Sequence, residues 1–442
     1  MAKLSKLAEE MMVQILSRLP AKSLMRFKCI HTSWYALINN PNFITKHLSV
    51  SKHNKLSSFI TILFKRFVLR DMNTGKKDVV LSLFNLFYDD DDDEEDAEEH
   101  HLDTVIEDLH VPPSMRLMRI DRYGYERVEL LGHCDGIVCL SDMREKVVLC
   151  NPAIKEFKLL PVSNLLLSSP DFRTDVEPTV AMGFGYDLTS KTYKVVRILQ
   201  NEREFIDDDR VIIHPPKAEV YSLVTNYWKE IKTNNLVKDT VTAWPLQKIY
   251  AVNSTHCKGI IYWCAKEYPN ETVICYTPDE DEVFECPKDC TISFHLADET
   301  FHVLSSPNLS CKVFGLWNES IAISGWNIEN STDIWVLDEI GATEGSWIKY
   351  LTFEPAVSIY SPLAFAGKND QFLYVGMDQS VVIFYDSRTK KCKYLPMEGV
   401  SLRNYEAAFY VNSIVSIKGG NNDVMQDNCS DIVSHSFPDE EV

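Results

Sequence analysis

The 442-residue sequence predicts an α+β, multidomain chain: a small N-terminal three-helix module followed by a large all-β domain. Three observations predict it. Apolar residues recur at helical spacing up to about residue 48, short strands with polar turns take over from about residue 111, and one two-strand unit then recurs along the chain.

The helices come first. Leu7, Met11, Met12, Ile15, Leu16 and Leu19 form one stripe at helical spacing, and Pro20 ends it, because proline suits the start of a helix and not its interior. A second helix spans about Ser23 to Ile30, and a third carries Trp34, Leu37 and Ile38 and ends before Pro41. The stretch RLPAKSLMRFKCIHTSW (Arg18 to Trp34) has more apolar residues than one stripe needs: Leu24 and Phe27 share one side, Met25 and Cys29 another. A module of this size is at the limit of what buries its own core, so the second face requires a cover. Two covers fit the spacing equally, the rest of this chain or a partner.

Residues 51–110 read as a connecting region. Ser58 to Leu69 and Val79 to Phe87 have the texture of buried strands. After them comes an acidic run of Asp89, Asp90, Asp91, Asp92, Asp93, Glu94, Glu95, Asp96, Glu98 and Glu99. Such a block of like charge repels itself and reads first as a solvated loop, with steering of a basic substrate as the functional alternative.

The β domain is assigned to residues 111–418, with 419–442 as a polar, disordered tail. Its recurring unit is an apolar strand, a turn, an aromatic and a second strand. It occurs at Val147 to Pro161, Gly183 to Ile198, Ala218 to Ile231, Val273 to Pro287, Asp333 to Leu351 and Val381 to Pro396. Successive turns start 36, 35, 55, 61 and 48 residues apart, near the period of propeller blades, so a β-propeller is favoured over a large β-sandwich.

Charge narrows the partners. The net charge is −19, yet residues 1–70 hold twelve Lys and Arg against Glu9 and Glu10, a balance of +10 against −29 for the remainder. An acidic body disfavours nucleic acid and anionic membranes and attracts basic proteins. Twelve cysteines without paired spacing, no apolar signal region and no apolar run long enough for a bilayer point to reduced thiols in a cytoplasmic or nuclear setting.

Catalytic chemistry is thin. Gly183 to Gly185 (GFG) lies between strands and does not open a helix, so it is no phosphate cradle. His133, Cys134 and Asp135 are adjacent, and adjacent residues rarely face one centre, so a turn before the strand GIVCL is the better reading. Cys286, Cys290 and His295 lack a fourth ligand at metal-site spacing, so no metal and no cofactor is expected.

Lys6 to Leu48 resembles an F-box, through Arg18-Leu19-Pro20, Lys22-Ser23-Leu24, Arg26-Phe27-Lys28-Cys29 and Trp34; Leu7-Ala8 stands where the family has Leu-Pro. The resemblance implies docking to a Skp-type adaptor, and through it to cullin and a RING-box protein of an SCF ubiquitin ligase. The docking residues it implies are Leu7, Ile15, Leu16, Leu19, Pro20, Leu24, Cys29 and Trp34. The β region resembles the plant F-box-associated, kelch-like domain through GHCDGIVCL (Gly132 to Leu140), LCNPAIKEFKLLP, GFGYD and YKVVRI. Within that group the phrases from Ser23 to Leu48, AEVYSLVTNYWKEIK and IWVLDEIGATEGSWIKYLT are similar to S-locus F-box proteins. That likeness implies a non-catalytic substrate adaptor in the pollen-tube cytosol that directs basic, non-self pistil S-RNases to ubiquitination. The alternatives are an F-box adaptor for an unrelated endogenous substrate and, from a different class, an enzyme with a dispersed site in the β domain.

Overall fold

A computed structural model describes residues 10–53, 59–71, 76–87, 104–109, 128–142, 146–163, 165, 180–199, 203–207, 210–213, 216–233, 236, 254–267, 288–338, 346–354, 359–366, 371–376, 381–387, 390–396 and 406–418. The acidic run at 89–99, Leu7, the hairpin expected at Val273 to Pro287 and the tail from 419 lie outside them.

The described residues of the N-terminal module form four helical segments: α1 (residues 10–16), α2 (Ala21–Lys28), α3 (Thr32–Ile38) and α4 (Pro41–His53). The third expected helix does end before Pro41, but a fourth begins there. Proline has no N–H to lose at a first helical position, and the Asn40 side chain accepts from the Asn42 N–H at 2.9 Å, so the proline starts a helix as well as ending one. His31 caps α3 by accepting from the Ser33 N–H, and Arg26 and Lys28 in the last turn of α2 complement its dipole.

Apart from one two-stranded hairpin, the described strands form six four-stranded antiparallel blades arranged as a propeller, two of them joined into one eight-stranded sheet. Blade one is β1 (Phe59–Asp71), β2 (Lys76–Phe87) and β3 (Thr104–Leu109), completed on its inner edge by β26 (Glu406–Phe409) from the other end of the chain. Blade two is β4 (Glu129–Cys134), β5 (Ile137–Ser141), β6 (Val147–Asn151) and β7 (Glu156–Leu159). Blade three is β8 (Val180–Asp187), β9 (Thr192–Leu199), β12 (Lys217–Ser222) and β13 (Tyr227–Ile231), with the hairpin β10 (Arg203–Asp207) and β11 (Arg210–Ile213) between its second and third strands. Blade four is β14 (Thr255–Cys257), β15 (Ile260–Glu267), β16 (Lys288–His295) and β17 (Thr300–Ser305). Blades five, β18 (Ser310–Trp317) to β21 (Trp347–Phe353), and six, β22 (Ile359–Ala366) to β25 (Lys391–Pro396), join through one parallel pair, Leu316 with Ala366.

Two expectations change here. Residues 59–109 do not merely connect two domains, because they supply three of the four strands of blade one. And Gly183 to Ile198 is the inner hairpin β8–β9 of the blade whose outer hairpin is Ala218 to Ile231, so those two units belong to one blade. Inner and outer hairpins share the same apolar–turn–apolar texture, which is why both fit one repeat.

The core lies in the seams between blades. Strand alternation sends Ile62 and Phe64 toward blade six, to Leu373 and Phe384, and Leu63 toward blade two, to Leu130 and Val138. Each of the six seams has its own buried cluster, so the ring is closed by side chains all the way round. Gly185 on the inner strand of blade three permits one close approach: a Cβ there would lie 2.3 Å from the ring of His256 in blade four. The GFG motif is therefore a packing feature.

Candidate docking face on the helical module

The two apolar faces of the helical module have different fates. Leu24 is fully buried and Leu16 nearly so, in a cluster with Ala21, Ile38 and Phe43 that also takes in Ala153 and Ile414 of the propeller domain. Phe27 and Trp34 meet edge to face at 5.0 Å beside it. His47 on α4 is buried and its Nε2 donates to the Leu19 carbonyl at 3.0 Å, tying α4 to the α1–α2 junction; burial holds its pKa below the usual imidazole value. The inner face thus rests on this chain.

The outer face is bare in the structure. Ile15 is 61% exposed and Ile30 64%, and Met11, Met12, Pro20, Cys29 and Tyr35 are exposed with them. Of the docking residues the F-box resemblance implies, Ile15, Pro20 and Cys29 are presented to solvent, and Leu19 and Trp34 are half-buried. Leu16 and Leu24 need correcting: both point inward, because the propeller turn and the closing segment need an apolar surface to sit on. Met11, Met12, Ile30 and Tyr35 are additions. Met11 and Met12 were legible from their i, i+4 and i, i+3 spacing to Ile15, whereas nothing local marks Ile30 or Tyr35 as outward.

The module is anchored on one face of the propeller. Helix α2 packs on the 3-10 turn Pro152–Ile154 between β6 and β7. Lys52 of α4 pairs with Asp135, in the turn between β4 and β5, at 2.5 Å, and Lys22 pairs with Glu107 of blade one. Both turns of blade two thus meet the helices. By the rotational repeat of the blades, every first-to-second and third-to-fourth turn lies on that face, and every second-to-third connection lies on the opposite one. The β10–β11 hairpin leaves from that opposite face, as does the turn Asn327–Ser331. There the Asn327 side chain accepts from the Glu329 and Ser331 N–H groups, fixing a turn that presents Ile328 to solvent.

The candidate chemical residues fall as packing. Cys134 ends β4, and Asp135 and Gly136, both at positive φ, form the two-residue turn into β5. Burial pushes the Cys134 thiol well up and pulls His133 down to about 4. The imidazole the fold brings to Cys134 is that of His256, at 3.5 Å, and a thiol whose ionisation is suppressed there is a poor nucleophile. Cys286 lies outside the described residues. Cys290 and His295 are five apart on one strand and so on opposite faces; Cys290 joins the seam core, and the His295 ring lies tilted against that of His302, 4.7 Å between centres.

Comparison with known proteins agrees with this layout. Residues 4–46 match the F-box domain, and residues 102–417 match the F-box associated beta propeller domain. An F-box/kelch-repeat protein of Arabidopsis thaliana is 27% identical over 366 residues, 80% of this chain and 81% of that protein. The F-box protein CPR1 of Arabidopsis thaliana is 24% identical over 424 residues, 93% of this chain and 89% of that one. Among solved structures, apo AztD from Citrobacter koseri aligns with 80% of this chain and 99% of its own length at 9% identity and a TM-score of 0.33.

Proposed function

This chain belongs to the F-box-associated β-propeller family, and from that membership we propose that it is a non-catalytic substrate receptor of an SCF-type ubiquitin ligase. The observation that carries the reading is the bare apolar face around Ile15 and Ile30 on a module whose other face is already covered. A Skp-type adaptor is its owner, with cullin and a RING-box protein beyond it. Removing these side chains from water on a partner is worth roughly 25 cal/mol per Å² of apolar area. The test is co-purification with a Skp-type adaptor, which Ile15→Asp with Ile30→Asp abolishes while the fold survives.

The substrate belongs on the propeller face opposite the helices, where the β10–β11 hairpin and the Ile328 turn stand clear of the ligase. Recognition on loops carried by a rigid scaffold is the usual arrangement. The finer reading is an S-locus role: pistil S-RNases bind there in the pollen-tube cytosol, and non-self forms are directed to ubiquitination. It is supported by the S-locus phrases in the sequence and by the acidic body, which steers a basic ribonuclease by long-range attraction. Neutralising the acidic residues between 89 and 99 lowers the on-rate for such a ribonuclease and flattens its salt dependence; an unchanged rate would leave the run without a steering role. A binding panel of purified S-RNases tests the specificity itself. Binding to none of them, with the adaptor still bound, would leave the SCF role and transfer the substrate to another class.

A further inference from the structure

The last described segment of the chain, residues 410–418, has no regular structure yet is heavily bonded. It follows β26, the strand that closes the propeller ring. The Tyr410 hydroxyl donates to the Gly136 carbonyl at 2.9 Å, and the Asn151 side-chain amide donates to the carbonyls of Ser413 at 3.1 Å and Val415 at 2.8 Å. The Ser413 hydroxyl donates to the Asp135 carbonyl, and Glu156 accepts from the Ser416 hydroxyl and the Ile417 N–H. Side chains then diverge. Ile417 enters the seam between blades two and three, and Ile414, 2% exposed, enters the helical cluster beside Leu24.

Both groups that Lys52 and Ile414 use to hold the helices therefore sit on one support. Asp135, the Lys52 partner, is bonded through its backbone to Ser413 and through its carboxylate to the Tyr193 hydroxyl of blade three at 3.0 Å. The helical module has its own core in Leu16, Leu24, Ile38 and Phe43, so Ile414 is an external contact and not the source of its fold. A contact of that kind sets orientation.

We propose that the closing segment is a latch: Ile414, seated under α2 and backed by the Lys52–Asp135 pair, fixes the angle of the F-box on the propeller and so the path from adaptor to substrate. The inference rests on the adaptor reading for its purpose but not for its geometry. The full chain, spin-labelled through keto-bearing p-acetylphenylalanine placed at Asn42 on α4 and Val224 on the β12–β13 turn, so that Cys29 and the other cysteines stay unchanged and unlabelled, reports the angle as a distance distribution. The wild-type background gives one narrow distance. Ile414→Asp broadens it at least twofold, and the same variant keeps its affinity for a Skp-type adaptor within threefold. If Ile414→Asp does not fold, Ile414→Ala combined with Lys52→Ala is read the same way. A distribution that stays narrow overturns the latch. So does a joint loss of helicity and adaptor binding, which would make Ile414 part of the F-box core. A wild-type chain that binds no adaptor overturns the ligase reading and leaves the distance measurement to decide the latch alone.

Discussion

Leu24 and Ile414 lie near opposite ends of the chain and share one buried cluster, which joins the helical module to the segment that closes the propeller. This single relationship explains why the stretch around Leu24 carries two apolar faces. One belongs to the chain's own C-terminal segment, and the other faces solvent at Ile15 and Ile30. It also separates substitutions that break the fold from those that break docking.

Leu24→Ala removes a fully buried side chain from a cluster shared by the helices and the propeller, and a loss of about 2–5 kcal/mol is expected. Ile15→Ala, on the exposed face, changes stability by less than about 0.5 kcal/mol. Denaturant unfolding of both variants measures the contrast. Equal losses would mean that the assignment of inner and outer faces is wrong.

Gly136 is a backbone requirement of the latch. Its φ is +82°, and an added Cβ would lie 2.5 Å from the Ser413 hydroxyl and 2.7 Å from the Val411 carbonyl. Gly136→Ala is therefore strained twice, by φ and by contact, and is expected to cost about 1–3 kcal/mol and to loosen residues 410–418. Amide exchange at the Val415 N–H, which donates to Ser413 Oγ, and at the Ile417 N–H should speed up; unchanged protection would contradict the close approach.

Arg197 and Glu219 form an ion pair at 2.8 Å, buried between blades two and three, with the guanidinium 4.4 Å from the Trp228 ring centre. Burial pushes the Glu219 carboxyl up and the Arg197 guanidinium down, each opposed by the partner's charge. Arg197→Met leaves Glu219 without its cation and is expected to cost about 3–5 kcal/mol, whereas Arg197→Met with Glu219→Leu recovers part of that loss. Thermal melts of the two variants decide it; a double variant less stable than the single one would show the pair to be net stabilising.

Histidine burial sets the acid limit. His47, His133 and His256 all have pKa values lowered chiefly by burial, His133 to about 4, so the fold favours their neutral forms. Their contribution is fully present above the unfolded value of about 6.5 and is lost as pH falls from there toward about 4. Stability measured from pH 8 to 4 should fall progressively below pH 6.5. A stability that is flat or rising as pH falls through that window would contradict the burial of these rings. His47→Gln, which keeps a donor for the Leu19 carbonyl, should reduce the slope.

Local patterning carried much of this molecule. The helices showed in the spacing of Met11, Ile15 and Leu19, the hairpins in their turns, and the propeller in their recurrence. What it missed is long-range. The strands around Phe64 and Phe84 were legible, but their inner neighbour β26 comes from residues 406–409, and closure of a ring leaves no local mark. The same reason hid the facing of Leu24: in a short helix apolar on two sides, Ala153 and Ile414 decide which side turns in. Tyr35 and Ile30 are exposed for that reason too, since none of the described residues covers them.

The proposed point of attachment to the ligase is the face around Ile15 and Ile30. The direct measurement is the affinity of a purified Skp-type adaptor for the full chain and for Ile15→Asp with Ile30→Asp, with the melting of each recorded alongside. The variant is expected to melt as the parent does and to lose at least a hundredfold in affinity, about 2.7 kcal/mol at roughly 1.4 kcal/mol per tenfold. A variant that melts normally and binds the adaptor as tightly as the parent would contradict it.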